Sequence, residues 1–127
     1  MPFMLKVRWE IKEGTEREFK SNQERLCAVM LEHPGVICYH ADYPSPRVSE
    51  WTEIYATDAA FKAHLANEKG KEPLGALVGS SDKITVRCFG DPNDESKSIL
   101  EGFGTTYHET AARAFVLNPR ADKDSQV

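Results

Sequence analysis

The strongest constraint on this chain is a change of period within its first thirty residues. From Phe3 to Ile11 it alternates, with Leu5, Val7, Trp9 and Ile11 on one parity and Lys6, Arg8 and Glu10 on the other. Successive side chains of an extended strand point to opposite faces, so this pattern predicts a half-buried strand. Gly14 breaks the run. From Thr15 the spacing becomes helical: Phe19, Leu26 and Met30 fall on one stripe, with Asn22 interrupting it. Thr15 and Glu18 have the spacing of a capping box. Pro34 and Gly35 end the helix near His33.

The same reading continues along the chain. Val36 to Tyr43 is a second strand, Pro44-Ser45-Pro46 a stiff turn, and Val48 to Ala56 a third strand. Thr57 or Asp58 caps a second helix that runs through Phe61, His64 and Leu65 and fails near Gly70. Pro73 opens a short extra turn carrying Leu74, Leu77 and Val78. Lys83 to Phe89 is a fourth strand. The order β-α-β-β-α-β predicts an α+β domain of ferredoxin-like type with a four-stranded antiparallel sheet. That domain spans residues 1–90. Residues 91–127 form a C-terminal extension that packs on the same domain or on a partner subunit. In it 94–100 is a short helix, 102–104 a turn, 106–117 either helical or extended, and the end is frayed.

Bulk properties narrow the function classes. A chain of 127 residues suits one domain, with one core and little room for a large internal cavity, so a ligand pocket would form more easily between subunits. The net charge of −4 argues against a nucleic-acid partner, which wants a basic face. Cys27, Cys38 and Cys88 are odd in number and form no Cys-x-x-Cys pair, which fits reduced thiols acting as small hydrophobes. No apolar stretch approaches the ~20 residues of a membrane span, and none resembles a leader; the expectation is a cytoplasmic protein with no membrane partner. His33, His40, His64 and His108 are scattered, with no recognised metal-ligand spacing.

Strand parity also bears on assembly. In a split βαβ domain both helices cover one sheet face. Taking the aliphatic parity of each strand as the covered one puts Leu5, Val7, Ile54, Ala56, Ile84, Val86 and Cys88 beneath the helices. Trp51, Glu53, Tyr55, Arg8, Arg87 and Phe89 then share the open face. Exposed aromatics in such numbers would form a large patch, so a second sheet is expected to cover them in a homodimer.

The run Trp51-Thr-Glu-Ile-Tyr-Ala-Thr-Asp-Ala-Ala-Phe-Lys-Ala-His-Leu65 resembles the third strand and second helix of antibiotic biosynthesis monooxygenase domains. There a strand ending Glu-x-aromatic leads into a helix reading Ala-[Leu/Phe]-x-x-His-Leu, and Glu53, Tyr55, Phe61 and His64 occupy those positions. Gly14, Phe19 and Pro34-Gly35 support the match, which extends from Phe3 to about Gly90. The resemblance implies a dimeric α/β barrel. It also implies an oxidoreductase, a cofactor-independent monooxygenase acting on small aromatic or quinol-like molecules. The second histidine found after His-Leu in quinol-oxidising relatives is absent, since the chain reads Ala66-Asn67-Glu68-Lys69-Gly70. The helix also lacks the tryptophan of haem-degrading relatives. No metal, haem or flavin is therefore expected.

Oxygenation without a cofactor needs a base, stabilisation of the resulting anion, and a dry apolar pocket. His64 is the candidate base, at the edge of the Phe61–Leu65 stripe; the alternative is a histidine bonded to a neighbouring strand. Glu53 could orient His64, take the proton itself, or pair with Arg8 or Arg87. Those two arginines could hold an anionic substrate or be solvated strand charges. Trp51, Tyr55 and Phe61 could line the pocket, and Asn22 could bond a ligand or the backbone. An isomerase, cyclase or decarboxylase on the same barrel, or a non-catalytic ligand-binding dimer, would use the same residues.

Overall fold

The computed structural model describes residues 2–109. The elements run β1 (Phe3–Ile11), α1 (Glu16–Met30), β2 (Val36–Ser45), β3 (Val48–Tyr55), α2 (Asp58–Ala66), α3 (Glu68–Gly79), β4 (Ser81–Gly90), α4 (Asp94–Glu101) and β5 (Thr106–His108). The sheet order is β2-β3-β1-β4-β5. β1 lies antiparallel between β3 and β4, and β2 pairs antiparallel with β3. These four strands have the expected split βαβ arrangement. The sheet itself has five strands and is mixed, because β5 adds in parallel to β4. A parallel neighbour requires a crossover, and α4 with the turn at Gly102–Gly104 supplies it. Gly104, at φ +67°, takes a backbone conformation that residues with a Cβ rarely adopt.

Helix ends depart from the expected motifs in two places. The Thr15 hydroxyl donates back to the Lys12 carbonyl at 2.8 Å and caps nothing. The free Gly14 N–H is met by the Glu16 carboxylate at 3.1 Å instead. Farther on, Asn67 adopts an extended backbone, ends α2, and accepts a hydrogen bond from the Lys69 N–H at 2.9 Å. The expected helix to Gly70 and the turn at Pro73 are thus two helices sharing one capping residue. Gly70 and Pro73 are both buried inside α3.

The face assignment needs a correction. Residues directly opposite in an antiparallel ladder project to the same side. The register pairs Phe3 with Tyr55, Leu5 with Glu53 and Val7 with Trp51. On β3 it is therefore the aromatic and acidic parity that lies beneath the helices, while Ile54 shares the outer face with Met4. Trp51 and Tyr55 are 1% and 0% exposed within the single chain, so no second subunit is needed to cover them. Counting aliphatics misread β3 because its inner positions are filled by rings. Trp51 packs on Trp9 at 5.0 Å and edge-on to Tyr39 at 5.6 Å, and Tyr55 packs on Phe3 at 5.5 Å. Among the described residues no helix is long and apolar enough to cross a membrane.

Candidate functional site

A cavity of about 60 Å³ lies between the inner sheet face and the helices. Its floor is Leu5, Val7 and Trp9 of β1, Tyr39 of β2, Trp51 and Glu53 of β3, and Ile84 and Val86 of β4. Phe61, His64 and Leu65 of α2 and Leu74 and Val78 of α3 form the roof; Leu100 of α4 and Phe103 beyond it complete the wall. The volume is room for several water molecules. A single chain lines this pocket, between sheet and helices and bordered by His64, the place expected for a site beside that histidine, although chain length alone favours a pocket between subunits.

Into this apolar enclosure the β3 register delivers one carboxyl group. Glu53 is 5% exposed, and burial pushes its pKa from 4.5 up to about 7. A charge removed from water with no cation beside it is costly, so the neutral acid is favoured. The Tyr55 hydroxyl, two residues along on the same face, donates a hydrogen bond to Glu53 Oε1 and opposes that rise. Tyr39 lies opposite Glu53 on β2, and burial raises its hydroxyl pKa well above the ordinary value, with the Glu53 charge adding to the shift.

His64 is 5% exposed and behaves in the opposite sense. Burial, and then the nearby His33, lower its pKa to about 4. Its ring stacks on Tyr55 at 5.8 Å and meets Tyr39 edge-on at 5.5 Å, while Nδ1 has no hydrogen-bond partner among the described residues. At neutral pH it is an uncharged ring. A base works best when its pKa is near the operating pH, which favours Glu53 over His64.

The other candidates divide by position. Trp51 and Phe61 line the cavity, and Tyr55 reaches it through Glu53. Arg8 and Arg87 lie on the far side of the sheet. Arg8 pairs with Glu50 at 2.8 Å, and the Arg87 guanidinium sits 5.4 Å from the centre of the Phe89 ring. Neither arginine can pair with Glu53. Both line a separate polar depression with Lys6, Asp42 and Thr52. The Asn22 amide is used on its own helix, donating to the Glu18 carbonyl and accepting from Arg25, both at 3.0 Å. In β5 the Tyr107 hydroxyl donates to the Lys97 carbonyl, and His108 stacks on Phe89. The remainder of the ambiguous tail lies outside the described residues.

Besides the aliphatic lining, the cavity has residues that are not site candidates in the sequence: Trp9, Tyr39, Leu100 and Phe103. Trp9 was counted as core because it continues the β1 alternation. Pairing β2 with β3 across the Pro44–Pro46 turn would have set Tyr39 beside Glu53. The two residues after β4 carried no such signal. Among the described residues no three His, Cys, Asp or Glu side chains gather as a metal-binding group.

No protein-family model matches the chain, and no curated protein matches it. Solved structures do. MupZ from Pseudomonas fluorescens superposes with a TM-score of 0.73 at 16% identity, covering 94% of this chain and 97% of that one. A protein of Caulobacter crescentus named for the antibiotic biosynthesis monooxygenases gives a TM-score of 0.64 at 17% identity, over 72% of this chain and 91% of its own. SnoaB from Streptomyces nogalater, described as a cofactor-independent oxygenase, gives 0.61 at 18% identity, over 72% and 94%. The chain shares the fold of these proteins.

Proposed function

We propose that this protein belongs with the antibiotic biosynthesis monooxygenases and is a cofactor-independent monooxygenase acting on a small aromatic or quinol-like molecule. In this reading Glu53 takes a proton from an electron-rich substrate. The substrate anion passes an electron to dioxygen, and the two radicals combine to a peroxide. Loss of water then leaves a carbonyl, so that a CH₂ group and O₂ become C=O and H₂O. No metal or flavin enters this scheme. The observation that carries it is Glu53, a buried carboxyl held near pKa 7 in an otherwise apolar cavity. Perturbed titratable groups in enclosed clefts mark functional sites more often than chance.

Oxygen consumption with a panel of quinols and anthrones tests the proposal. Glu53→Gln keeps the shape and the acceptor for Tyr55 but cannot take a proton. Its turnover should fall by roughly two orders of magnitude or more, the usual scale for a lost general base. Unchanged oxygen uptake in that variant contradicts the proposal.

One observation favours a second reading. A group with a pKa near 7 is populated in both forms at neutral pH, so Glu53 could take a proton at one carbon and return it at another. An isomerase, cyclase or decarboxylase would need nothing more. Product formed at the same rate under nitrogen selects this reading. The proposal keeps the homodimer, with the sheet's outer face as its interface, where Met4, Ile54 and Phe89 are half-buried among charges. Light scattering at micromolar concentration tests it, and a monomer contradicts it.

A further inference from the structure

Two buried polar atoms have no hydrogen-bond partner among the described residues, Trp9 Nε1 and His64 Nδ1. Both side chains belong to the wall of the same cavity. We propose that Trp9 selects the ligand of this cavity by donating its indole N–H to a carbonyl or phenolic oxygen of an aromatic molecule. This deepens the function proposed above and rests on the same pocket.

The second tryptophan provides the internal contrast. Trp51 packs against Trp9 at a centroid distance of 5.0 Å and is equally buried, yet its Nε1 donates to Ser49 Oγ at 2.8 Å. Burial alone therefore does not explain an unpaired indole here. A buried tryptophan N–H normally finds a partner, and a buried donor without one is destabilising. The Trp9 ring is packed on two sides. It sits on the central strand, between Ser49 of β3 and Ile84 of β4, and its ring is held by Trp51 and by Phe19 at 5.6 Å.

The indole nitrogen is a donor only, so the ligand must bring an acceptor. An ammonium group or a plain hydrocarbon leaves it unmet. Among the described residues that line the cavity none is Lys or Arg, and most of the wall is aliphatic or aromatic. An oxygen carried on an aromatic ring fits both conditions, because the ring is apolar like the wall and spreads any charge on the oxygen. The ligand class is therefore aromatic ketones, quinones and phenols. Glu53 on the same floor would handle the proton, and Trp9 would hold the oxygen.

The test uses acetophenone and ethylbenzene, which differ in the acceptor oxygen. The chain has two tryptophans, so the native protein gives two indole N–H signals in a ¹⁵N–¹H spectrum, assigned with Trp51→Phe. Acetophenone should shift the Trp9 signal downfield and leave that of Trp51 nearly in place, whereas ethylbenzene should not produce the downfield shift. The affinity ratio of acetophenone to ethylbenzene should drop about three- to tenfold in Trp9→Phe, the scale of one hydrogen bond. Equal responses of the Trp9 signal to both compounds overturn the proposal, as does failure of acetophenone to bind at millimolar concentration. The native spectrum decides even where Trp9→Phe does not fold. Because the readout is binding without turnover, it can fail while Glu53 proves catalytic, and it can succeed while Glu53→Gln stays active.

Discussion

Glu53 and His64 wall the same cavity and respond to burial with opposite charges. The Glu53 pKa rises from 4.5 to about 7, and the His64 pKa falls from 6.5 to about 4. Between pH 4.5 and 6.5 the folded chain keeps a proton on Glu53 that the unfolded chain has lost. It also lacks a proton on His64 that the unfolded chain carries. The first effect lowers stability as pH rises, and the second raises it. The two nearly cancel, so the native protein should show little pH dependence from this pair in that window. Removing one group exposes the other. Glu53→Gln should gain stability as pH rises from about 4 to 6.5 and His64→Gln should lose it from about 4.5 to 7, each on the order of 3 kcal/mol over its full window. Denaturant titrations across the pH series measure both slopes. Flat profiles in both variants would mean that the two groups titrate normally.

At the scale of elements, the position of α2 sets the cavity roof, and Gly35 sets the position of α2. A Cβ at Gly35 would lie 2.4 Å from Ala60 Cβ, so Gly35→Ala forces the Gly35 backbone and α2, which carries Phe61 and His64, apart. Overpacking of this kind costs about 1–3 kcal/mol, which chemical denaturation would detect; an unchanged midpoint would show that α2 is free to yield. The far wall hangs on Asp58, whose Oδ1 accepts from the Asn93 N–H at 2.8 Å and from the Ser96 hydroxyl at 2.6 Å. Those bonds tie α4 to the start of α2 and bring buried Leu100 to the pocket. Most elements were legible in the sequence, because β1, α1, α2 and β4 carry their own periodicity. Their relations were less so. The inner face of β3 is a property of its register with β1, and local spacing holds no record of register. Asn67 puts the break between α2 and α3 ahead of the expected stop at Gly70, through a side-chain cap, with no proline or glycine at that position to mark it. β5 is three residues long, too short for any alternation to show.

For the molecule as a whole, the candidate site was partly legible for the same reason. Glu53, His64, Trp51 and Phe61 were named because they sit in one motif, and the fold does bring them together. Arg8 and Arg87 were named by parity with a face that proved to be the other one. This has a spectroscopic consequence. Trp9 and Trp51 are 4% and 1% exposed within one chain, so their fluorescence should stay blue-shifted on dilution to nanomolar concentration. A red shift on dilution would mean that a partner subunit covers them. The proposed chemistry depends on one carboxyl, Glu53, which the fold holds between acid and base. Carbon-13 NMR of the glutamate side-chain carboxyls, with Glu53→Gln to assign the signal, tests it most directly. The expected result is a carboxyl signal that titrates near pH 7 and is missing from the variant. A Glu53 signal titrating at the ordinary value of 4.5 would overturn it.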